Sequence, residues 1–189
     1  MSSRILTRLR GDRSGVTAVE FAILTPVMLS LLMGLMEVCY QAYVSAVLQG
    51  AVNEAGRDST LEDASKTLAT IDAVVSDRVR AVSRGATFSS ERKSYYSFSD
   101  VGTPEPFTDD NKNGIREATE CYEDLNGNGG FDLDRGKGGQ GGADDIVSYT
   151  MTVKYPRLFL SSVNTVKATT VLRNQPYGTQ TKPTATCKK

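Results

Sequence analysis

The stretch GVTAVEFAILTPVMLSLLMGLM, residues 15–36, decides how this chain folds. Its last 21 residues, from Val16 to Met36, contain a single charged side chain, Glu20. A helix of this length reaches about 31 Å, which is enough to cross the hydrocarbon core of a bilayer. Four arginines precede the stretch and the next follows only at Arg57. This asymmetry predicts a cytoplasmic N-terminus, with the rest of the chain outside the membrane.

The same helix is predicted to continue beyond the membrane surface. Apolar residues recur at three- and four-residue steps from Tyr40 to Val52, which is typical of an amphipathic helix. Gly56 and the polar residues after it predict a break. A second amphipathic helix is predicted over residues 61–82, with Gly85 as its C-terminal stop.

Beyond Gly85 the apolar pattern changes to a period of two. Residues 147–155 alternate between apolar or aromatic and polar side chains, which predicts a half-buried strand ended by Pro156. Residues 164–173 are rich in Val and Thr and are predicted to pair with it as a hairpin, and residues 86–98 to add a weaker third strand. The tail after Gln175 is predicted to be loose. The predicted fold class is therefore α+β: a long membrane-spanning helix, a second helix and a small antiparallel sheet.

Composition excludes several classes of function. The chain has 22 basic and 22 acidic residues, so it has no global attraction for nucleic acid, and we expect it to bind none. It contains no His, which excludes Ser–His–Asp and Cys–His catalysis and His-ligated zinc. Its acidic residues are interspersed with Asn and Gly, a setting that suits cation chelation better than a desolvated catalytic pair. We therefore expect a protein that is not an enzyme.

An acidic, glycine-rich insert occupies residues 109–145. It carries ten acidic residues, four basic residues and nine of the 17 glycines. Such a segment cannot bury a core of its own, so it is either a flexible linker or is ordered by something else. Residues 109–120, DDNKNGIREATE, match the calcium-loop pattern D-x-[DN]-x-[DN]-G-x₅-E. Oxygen ligands at these alternate positions suit a hard cation.

Residues 124–134, DLNGNGGFDLD, repeat the start of this pattern. Position twelve of the repeat is Arg135, which cannot bind a cation, so Asp134 or a carboxylate from elsewhere has to replace it. Only three residues separate the loops, too few for the helices of an EF-hand, and the pair resembles the compact calcium repeats of extracellular proteins. Two calcium sites are predicted, with ligands Asp109, Asn111, Asn113, Ile115 (through its carbonyl), Glu117, Glu120, Asp124, Asn126, Asn128, Asp132 and Asp134.

The three cysteines have different settings. Cys39 lies on the long helix and is interpreted as a small packing residue. Cys121 and Cys187 are predicted to lie in an oxidising compartment, where a disulfide would attach the tail to the acidic insert. The sequence leaves two unpaired thiols as an open alternative, because spacing does not determine their geometry.

Glu20 is an unusual residue for a membrane segment, because a carboxylate at membrane depth needs a partner. If a peptidase cut after Gly15, Val16 would gain a free amine and Glu20 would become the fifth residue. The amine of one helix could then neutralise Glu20 of a staggered neighbour, which implies assembly. The alternative is a plain signal anchor with an isolated acid.

A basic leader, a Gly, four residues and Glu-Phe resemble the processing site of type IV pilin-like proteins. The variant GVTAVEF with the early Pro26 is similar to pseudopilins of the tight-adherence (Tad) pilus system, and GLMEVCYQAYVSAVLQGAVNEAGRDS resembles the TadE-like family. Val38 and Cys39 depart from the family's usual Phe-Gly. The resemblance implies cleavage of the Gly15–Val16 bond by a prepilin peptidase, with Glu20 and Phe21 as assembly residues.

The resemblance also implies a pilin-like organisation and a set of partners. Residues 1–15 would be the cytoplasmic leader, 16–56 the membrane-spanning and extended helix, and 57–189 a periplasmic head of a single-pass protein of the bacterial inner membrane. The implied partners are the prepilin peptidase, other pilins and pseudopilins, and the pilus assembly platform. The functional hypothesis is a minor pseudopilin of this type IVb system. The alternatives are a membrane-anchored periplasmic calcium-binding protein outside any filament, and a type II secretion pseudopilin.

Overall fold

The computed structural model describes residues 15–59, 68–176, 178–183 and 187–188. Two helices and a small antiparallel sheet make up these parts of the chain, which confirms the predicted α+β class. The helices are α1 (Val16–Ser59) and α2 (Leu68–Val82). The strands are β1 (Thr87–Tyr95), β2 (Tyr122–Glu123), β3 (Lys137–Gly138), β4 (Ile146–Pro156), β5 (Val163–Arg173) and β6 (Cys187–Lys188).

The main sheet has the strand order β3-β1-β4-β5, and every neighbouring pair is antiparallel. β4 and β5 form the predicted hairpin, with Ile146 opposite Arg173 and Pro156 opposite Val163. Burial alternates along β4 from Val147 to Tyr155, as the period of two predicts. Pro156 ends the strand, because its ring leaves no N–H for the ladder.

Helix α1 has two halves with different surroundings. Its first half is exposed, whereas the second half packs against α2, β4 and β5. The helix does not break at Gly56, as the sequence suggested, but continues to Ser59. Gly56 is buried, and a Cβ built on it would lie 2.5 Å from Cγ2 of Thr170 and 2.7 Å from Cδ1 of Leu172. Gly56 therefore serves the close approach of α1 to β5 and does not end the helix.

Helix α2 covers the same core with Ile71, Val75 and Val79, which are all buried. The first part of the predicted helix, residues 61–67, lies outside the described residues. The helix ends at Val82, three residues before the predicted stop at Gly85. The core contains Val44, Leu48, Ala51, Val52, Ala55, Ile71, Val75, Val79, Ala86, Tyr149, Met151, Val153, Tyr155 and Ala168.

The acidic insert differs from the prediction in having a small apolar centre. The rings of Phe107, Phe131 and Tyr122 meet edge to face, with centroids 5.8–6.0 Å apart. The guanidinium of Arg116 lies over Tyr122 at 4.7 Å and over Phe131 at 5.3 Å. The sequence analysis missed this cluster because the insert has few aliphatic residues. The contact area comes instead from three aromatic rings and the guanidinium of Arg116.

Candidate functional site

The first half of α1, residues 16–38, is called the stalk. In the described part of the chain, α1 is the one helix long and apolar enough to cross a membrane, and its most apolar window is entirely unburied. The stalk exposes large apolar side chains on all sides, with Phe21 63%, Leu31 70% and Val38 64% exposed. An α-helix that is apolar all round, without a protein partner to cover it, is typical of a membrane span.

The residues predicted to direct processing lie at the beginning of α1. The helix starts at Val16, and the carbonyl of Gly15 accepts its first hydrogen bond, from the N–H of Val19 at 3.1 Å. Glu20 is exposed on the stalk, and no hydrogen bond or ion pair within the described residues engages its carboxylate. Phe21 is exposed beside it. Sequence and structure thus place an isolated charge one turn into an apolar helix.

Two hydroxyl groups in the stalk are satisfied by the helix itself. The Thr25 hydroxyl donates to the carbonyl of Phe21 at 2.7 Å, and the Ser30 hydroxyl donates to that of Val27 at 2.8 Å. Both bonds remain available in a medium without water. Neither hydroxyl would therefore need a further hydrogen-bond partner inside a membrane, in contrast to the carboxylate of Glu20.

The first Asp/Asn loop, residues 109–120, folds its backbone around its own side chains. The Asp109 carboxylate accepts hydrogen bonds from the N–H groups of Asn113 and Gly114 at 3.1 and 2.7 Å. Oδ1 of Asn111 also accepts from the N–H of Asn113, at 3.0 Å. Gly114 has a φ of 77°, a left-handed conformation that favours glycine. The side chains at positions one, three and five are consequently held together on one side of a tight turn.

The second loop, residues 124–135, repeats this geometry fifteen residues later. The Asp124 carboxylate accepts from the N–H groups of Asn128 and Gly129 at 3.1 and 2.9 Å. Oδ1 of Asn126 accepts from the N–H of Asn128 at 3.0 Å. Gly129 is again left-handed, with a φ of 86°. The repeat inferred from sequence is thus a repeat of backbone conformation.

The ninth residue of each loop faces its asparagines. These amides donate to one carboxylate oxygen: Asn111 and Asn113 to Glu117, and Asn126 and Asn128 to Asp132. Ile115, whose carbonyl was the predicted seventh-position ligand, has a 69% exposed side chain. Each loop therefore brings together carboxylate and amide side chains, whose oxygens are the ligand type that Ca²⁺ prefers, with the amide NH₂ groups turned toward the ninth-position carboxylate.

Glu120, the twelfth residue of the first loop, is hydrogen-bonded to the backbone at both ends of that loop. It is 1% exposed, and its two oxygens accept from the N–H groups of Asp110 at 3.0 Å and Glu117 at 2.8 Å. A buried carboxylate is costly unless it is hydrogen-bonded in this way. Glu120 thus spans the loop from its second to its ninth residue.

Glu105 makes the equivalent contacts in the second loop, and the sequence analysis missed it. It is also 1% exposed, and its two oxygens accept from the N–H groups of Leu125 at 2.8 Å and Asp132 at 3.2 Å. Leu125 and Asp132 are the second and ninth residues of that loop. Glu105 precedes the loop in the chain, so no spacing rule could have found it. Glu105 thus has the same position relative to the second loop that Glu120 has relative to the first.

Asp134, the other candidate ligand at this end of the second loop, points away from it. Asp134 binds Nζ of Lys93 at 2.8 Å and the hydroxyl of Tyr95 at 2.9 Å, both on β1. Burial would raise the pKa of Asp134, but the hydrogen bonds from Lys93 and Tyr95 outweigh it and hold that pKa below its usual value. Arg135 pairs with Asp100 at 3.1 Å. Asp134 therefore connects the insert to the sheet.

A lysine occupies part of the second loop. Nζ of Lys188 on β6 forms an ion pair with Oδ2 of Asp124, whose side chain is 1% exposed. The hydrogen bond from Lys188 lowers the pKa of the Asp124 carboxyl. Within the described ranges, no group of three or more His, Cys, Asp or Glu side chains is arranged to hold a metal ion. Any cation site here consequently depends on Asn and carbonyl oxygens as well as carboxylates.

The structure pairs Cys121 with Cys187 as a disulfide, with the Cα atoms 5.5 Å apart. Next to it, β2 and β6 pair Tyr122 with Lys188 and Glu123 with Cys187. The described end of the tail is thus attached to the acidic insert, as the disulfide alternative required, and is not loose as the composition of the tail suggested. Cys39 is exposed on α1, just after the stalk, rather than packed in the core.

An exposed apolar helix that continues into an α+β head defines a stalk-and-head protein, and one N-terminal apolar helix suggests a single-pass membrane anchor. Residues 15–57 match the family model described as TadE-like protein, which confirms the resemblance seen in the sequence. The match covers 43 of the 189 residues, nearly all of α1 and none of the sheet. No curated protein and no solved structure matches the chain.

The TadE-like match suggests involvement in the Tad pilus system and in contacts with other pilus components. This pilus-associated family is typically non-enzymatic.

Proposed function

We propose that this protein is a minor pseudopilin of the Tad pilus system, processed by a prepilin peptidase between Gly15 and Val16. The observation that carries the proposal is the isolated Glu20 carboxylate on a fully exposed apolar stalk whose helix begins at Val16. The TadE-like match over the same residues supports it. A head as long as residues 57–189 is large for the major subunit of such a pilus, which suits a subunit that primes or caps a filament.

Processing supplies a partner for Glu20, whose carboxylate has none among the described residues. Cleavage creates an α-amine on Val16, with an ordinary pKa of about 8, so it is largely protonated at neutral pH. Glu20 of one copy and the ammonium of a staggered neighbour then form an ion pair between apolar helices. Since the cost of burying either charge alone is high, this pair favours side-by-side assembly over isolated stalks.

The test combines processing with assembly. Intact-mass measurement of membrane-extracted protein is expected to show a chain that starts at Val16. Glu20→Gln is expected to be inserted and cleaved but to co-purify less with pilus components. Glu54→Gln is the matched control, because Glu54 lies on the same helix in the head and forms an exposed pair with Arg78.

Two results would contradict the proposal. A dominant species that retains the leader would favour the alternative of a membrane-anchored protein outside any filament. Equal co-purification of wild type, Glu20→Gln and Glu54→Gln would show that the Glu20 charge has no part in assembly.

We further propose that the head binds Ca²⁺ through its two loops. The proposal is supported by the matching backbone geometry of residues 109–120 and 124–135, and by the buried carboxylates of Glu120 and Glu105 at equivalent positions. Bound Ca²⁺ would neutralise a segment that is otherwise strongly acidic. Because Lys188 already pairs with Asp124, the first loop is proposed to be the tighter site.

A further inference from the structure

The turn between β4 and β5 together with the first residue of β5, residues 157–163, is called the hairpin tip. It exposes four large apolar side chains: Leu158 49%, Phe159 43%, Leu160 55% and Val163 64%. Turns between strands are usually polar, and an exposed apolar cluster on a small domain indicates a contact surface. The core residues of β4 stop at Tyr155, so this cluster does not belong to the core of the head.

The hairpin tip lies beside the end of the stalk. The N–H of Leu158 donates a hydrogen bond to Oε2 of Glu37 at 3.1 Å. One turn further along α1, the ring of Tyr40 meets that of Tyr155 edge to face, with centroids 5.7 Å apart. These contacts fix the height of the tip along α1.

That height coincides with the edge of a bilayer. Glu37 is the first charged residue after Glu20, and α1 rises about 31 Å between Val16 and Glu37. The hydrocarbon core is about 30 Å thick. If the stalk spans the membrane, the tip therefore lies at the interface on the side of the head. Tyr40 and the 58% exposed Tyr43 are at the level where interfacial tyrosines concentrate.

The charge of the hairpin also favours contact with the bilayer surface. The whole β4–β5 hairpin, residues 146–173, has four basic residues and no acidic residue. Lys154 precedes the tip on β4, Arg157 is the first residue of the tip, and Lys167 follows on β5. Basic groups around an apolar cluster suit an anionic lipid surface, with the apolar side chains below the headgroups.

We propose that the hairpin tip inserts into the headgroup region of the bilayer that holds the stalk. The apolar surface of the stalk and that of the tip are then continuous, and the head has two membrane contacts instead of one. A single helix leaves the head free to tilt, whereas a second contact restrains it in one orientation. This inference rests on the membrane anchoring in the proposed function.

The chain contains no tryptophan, so Phe159→Trp creates a single fluorescent reporter at the tip. The full-length variant is reconstituted into phosphatidylethanolamine–phosphatidylglycerol vesicles, with and without lipids brominated near the headgroup. Phe98→Trp is the matched control, because Phe98 is 59% exposed and lies beyond Tyr95, at the end of β1 opposite to the tip. Phe21→Trp reports on the stalk, and Leu160→Trp is a second tip reporter.

Insertion predicts that both tip reporters emit at shorter wavelength than Phe98→Trp and are quenched about twofold by the brominated lipid. The inference is overturned if the tip reporters behave as Phe98→Trp does while Phe21→Trp is quenched. If Phe21→Trp is not quenched either, the anchor itself is absent and the proposed function fails with it. A blue shift that appears only at high protein density, without lipid quenching, means that a second copy covers the tip and also overturns the inference.

Discussion

Arg92 on β1 donates two hydrogen bonds to the carboxylate of Asp72 on α2, at 2.6 and 3.2 Å. Ser90 and Tyr149 also donate to this carboxylate, at 2.6 and 2.7 Å. The side chain of Arg92 is 7% exposed, and its guanidinium lies over the ring of Tyr149, 4.2 Å from the ring centroid. A charged network at the edge of the core therefore joins α2 to the sheet.

We expect Asp72→Asn to destabilise the head by about 1–3 kcal/mol, because it leaves a nearly buried guanidinium without its counter-charge. Asp77→Asn is the matched control on the same helix. The Asp77 side chain is 76% exposed, and among the described residues its ion pair is with Arg80 at 3.5 Å, so its loss is expected to change stability little. Chemical unfolding of the full chain in detergent measures both. Equal midpoints for the two variants would contradict the assigned role of Asp72.

The same network predicts a dependence on pH. Burial would raise the pKa of Asp72, but hydrogen bonds from Arg92, Ser90 and Tyr149 and the charge of Arg92 outweigh it, and the pKa is lowered. A carboxyl whose pKa is lower in the folded state stabilises the fold above its unfolded pKa, about 3.9. This stabilisation is lost as the pH falls through the folded pKa.

Unfolding midpoints measured from pH 6 to pH 2 are expected to show a constant advantage of wild type over Asp72→Asn above about pH 4. The advantage shrinks below that pH. A difference that stayed constant down to pH 2 would mean that the charge of Asp72 contributes nothing.

Replacing two different glycines of α1 by alanine is expected to change the stability of the head in opposite directions. Gly56→Ala brings a methyl group against Thr170 and Leu172 and is expected to cost about 1–3 kcal/mol. Around Gly50 a Cβ meets nothing within 4 Å, so Gly50→Ala is expected to stabilise the helix by about 0.5–1 kcal/mol. Thermal melting of both variants in detergent measures the contrast. A rise in melting temperature for both would show that β5 does not approach α1 at Gly56.

Calcium is expected to raise the melting temperature of the full chain. A ligand that binds only the folded state at a hundredfold excess over its Kd stabilises by about 2.7 kcal/mol. For a head of this size, this corresponds to a shift on the order of 5–10 °C. Mg²⁺ is expected to do much less, because it gives up its water reluctantly and requires octahedral geometry. Coincident melting curves in chelator, Ca²⁺ and Mg²⁺ would contradict calcium binding and would mean that the two loops act only as a linker.

Glu105→Gln and Glu120→Gln test the ligand assignment within the loops. Each removes one charge from a carboxylate that is 1% exposed, and each is expected to reduce the calcium-induced shift. The shift is measured against the same variant in chelator, so that any loss of folding stability cancels. Glu123→Gln is the matched control, because Glu123 is exposed between the loops. An undiminished shift in Glu105→Gln, alongside a reduced one in Glu120→Gln, would reject the role proposed for Glu105.

The cysteine pair makes a separate prediction. If Cys121 and Cys187 are bonded in the cell, non-reducing peptide mapping recovers one cross-linked species. Cys187→Ser is then expected to lower stability by about 2–4 kcal/mol, because the unfolded chain loses a long closed loop. Cys39→Ser, at the exposed cysteine, is the control and is expected to change little. Alkylation of both Cys121 and Cys187 in the native protein would exclude the bond.

The elements of this fold follow from local pattern. The apolar run at Val16–Met36, the alternation along residues 147–155 and the repeated Asp-x-Asn-x-Asn-Gly are all legible in the sequence. Each of these patterns depends on interactions between residues that are close in the chain. The period of apolar residues in a helix or strand shows which side is buried. Hydrogen bonds from backbone N–H groups to nearby Asp and Asn side chains form the tight loops. These signals predicted the stalk, the hairpin and both loops.

Three relationships required the tertiary structure. Glu105 reaches the second loop from outside it, Leu158 meets Glu37 across 121 residues, and Gly56 permits close packing where its local context indicated a break. In each case the contact joins segments that are distant in the chain. The periodicity of apolar residues within one segment does not indicate which distant segment will pack against it. The amino-acid sequence therefore determined the elements and the loop chemistry. Only the path of the folded chain decided which carboxylate hydrogen-bonds to the second loop and which turn lies beside the end of the stalk.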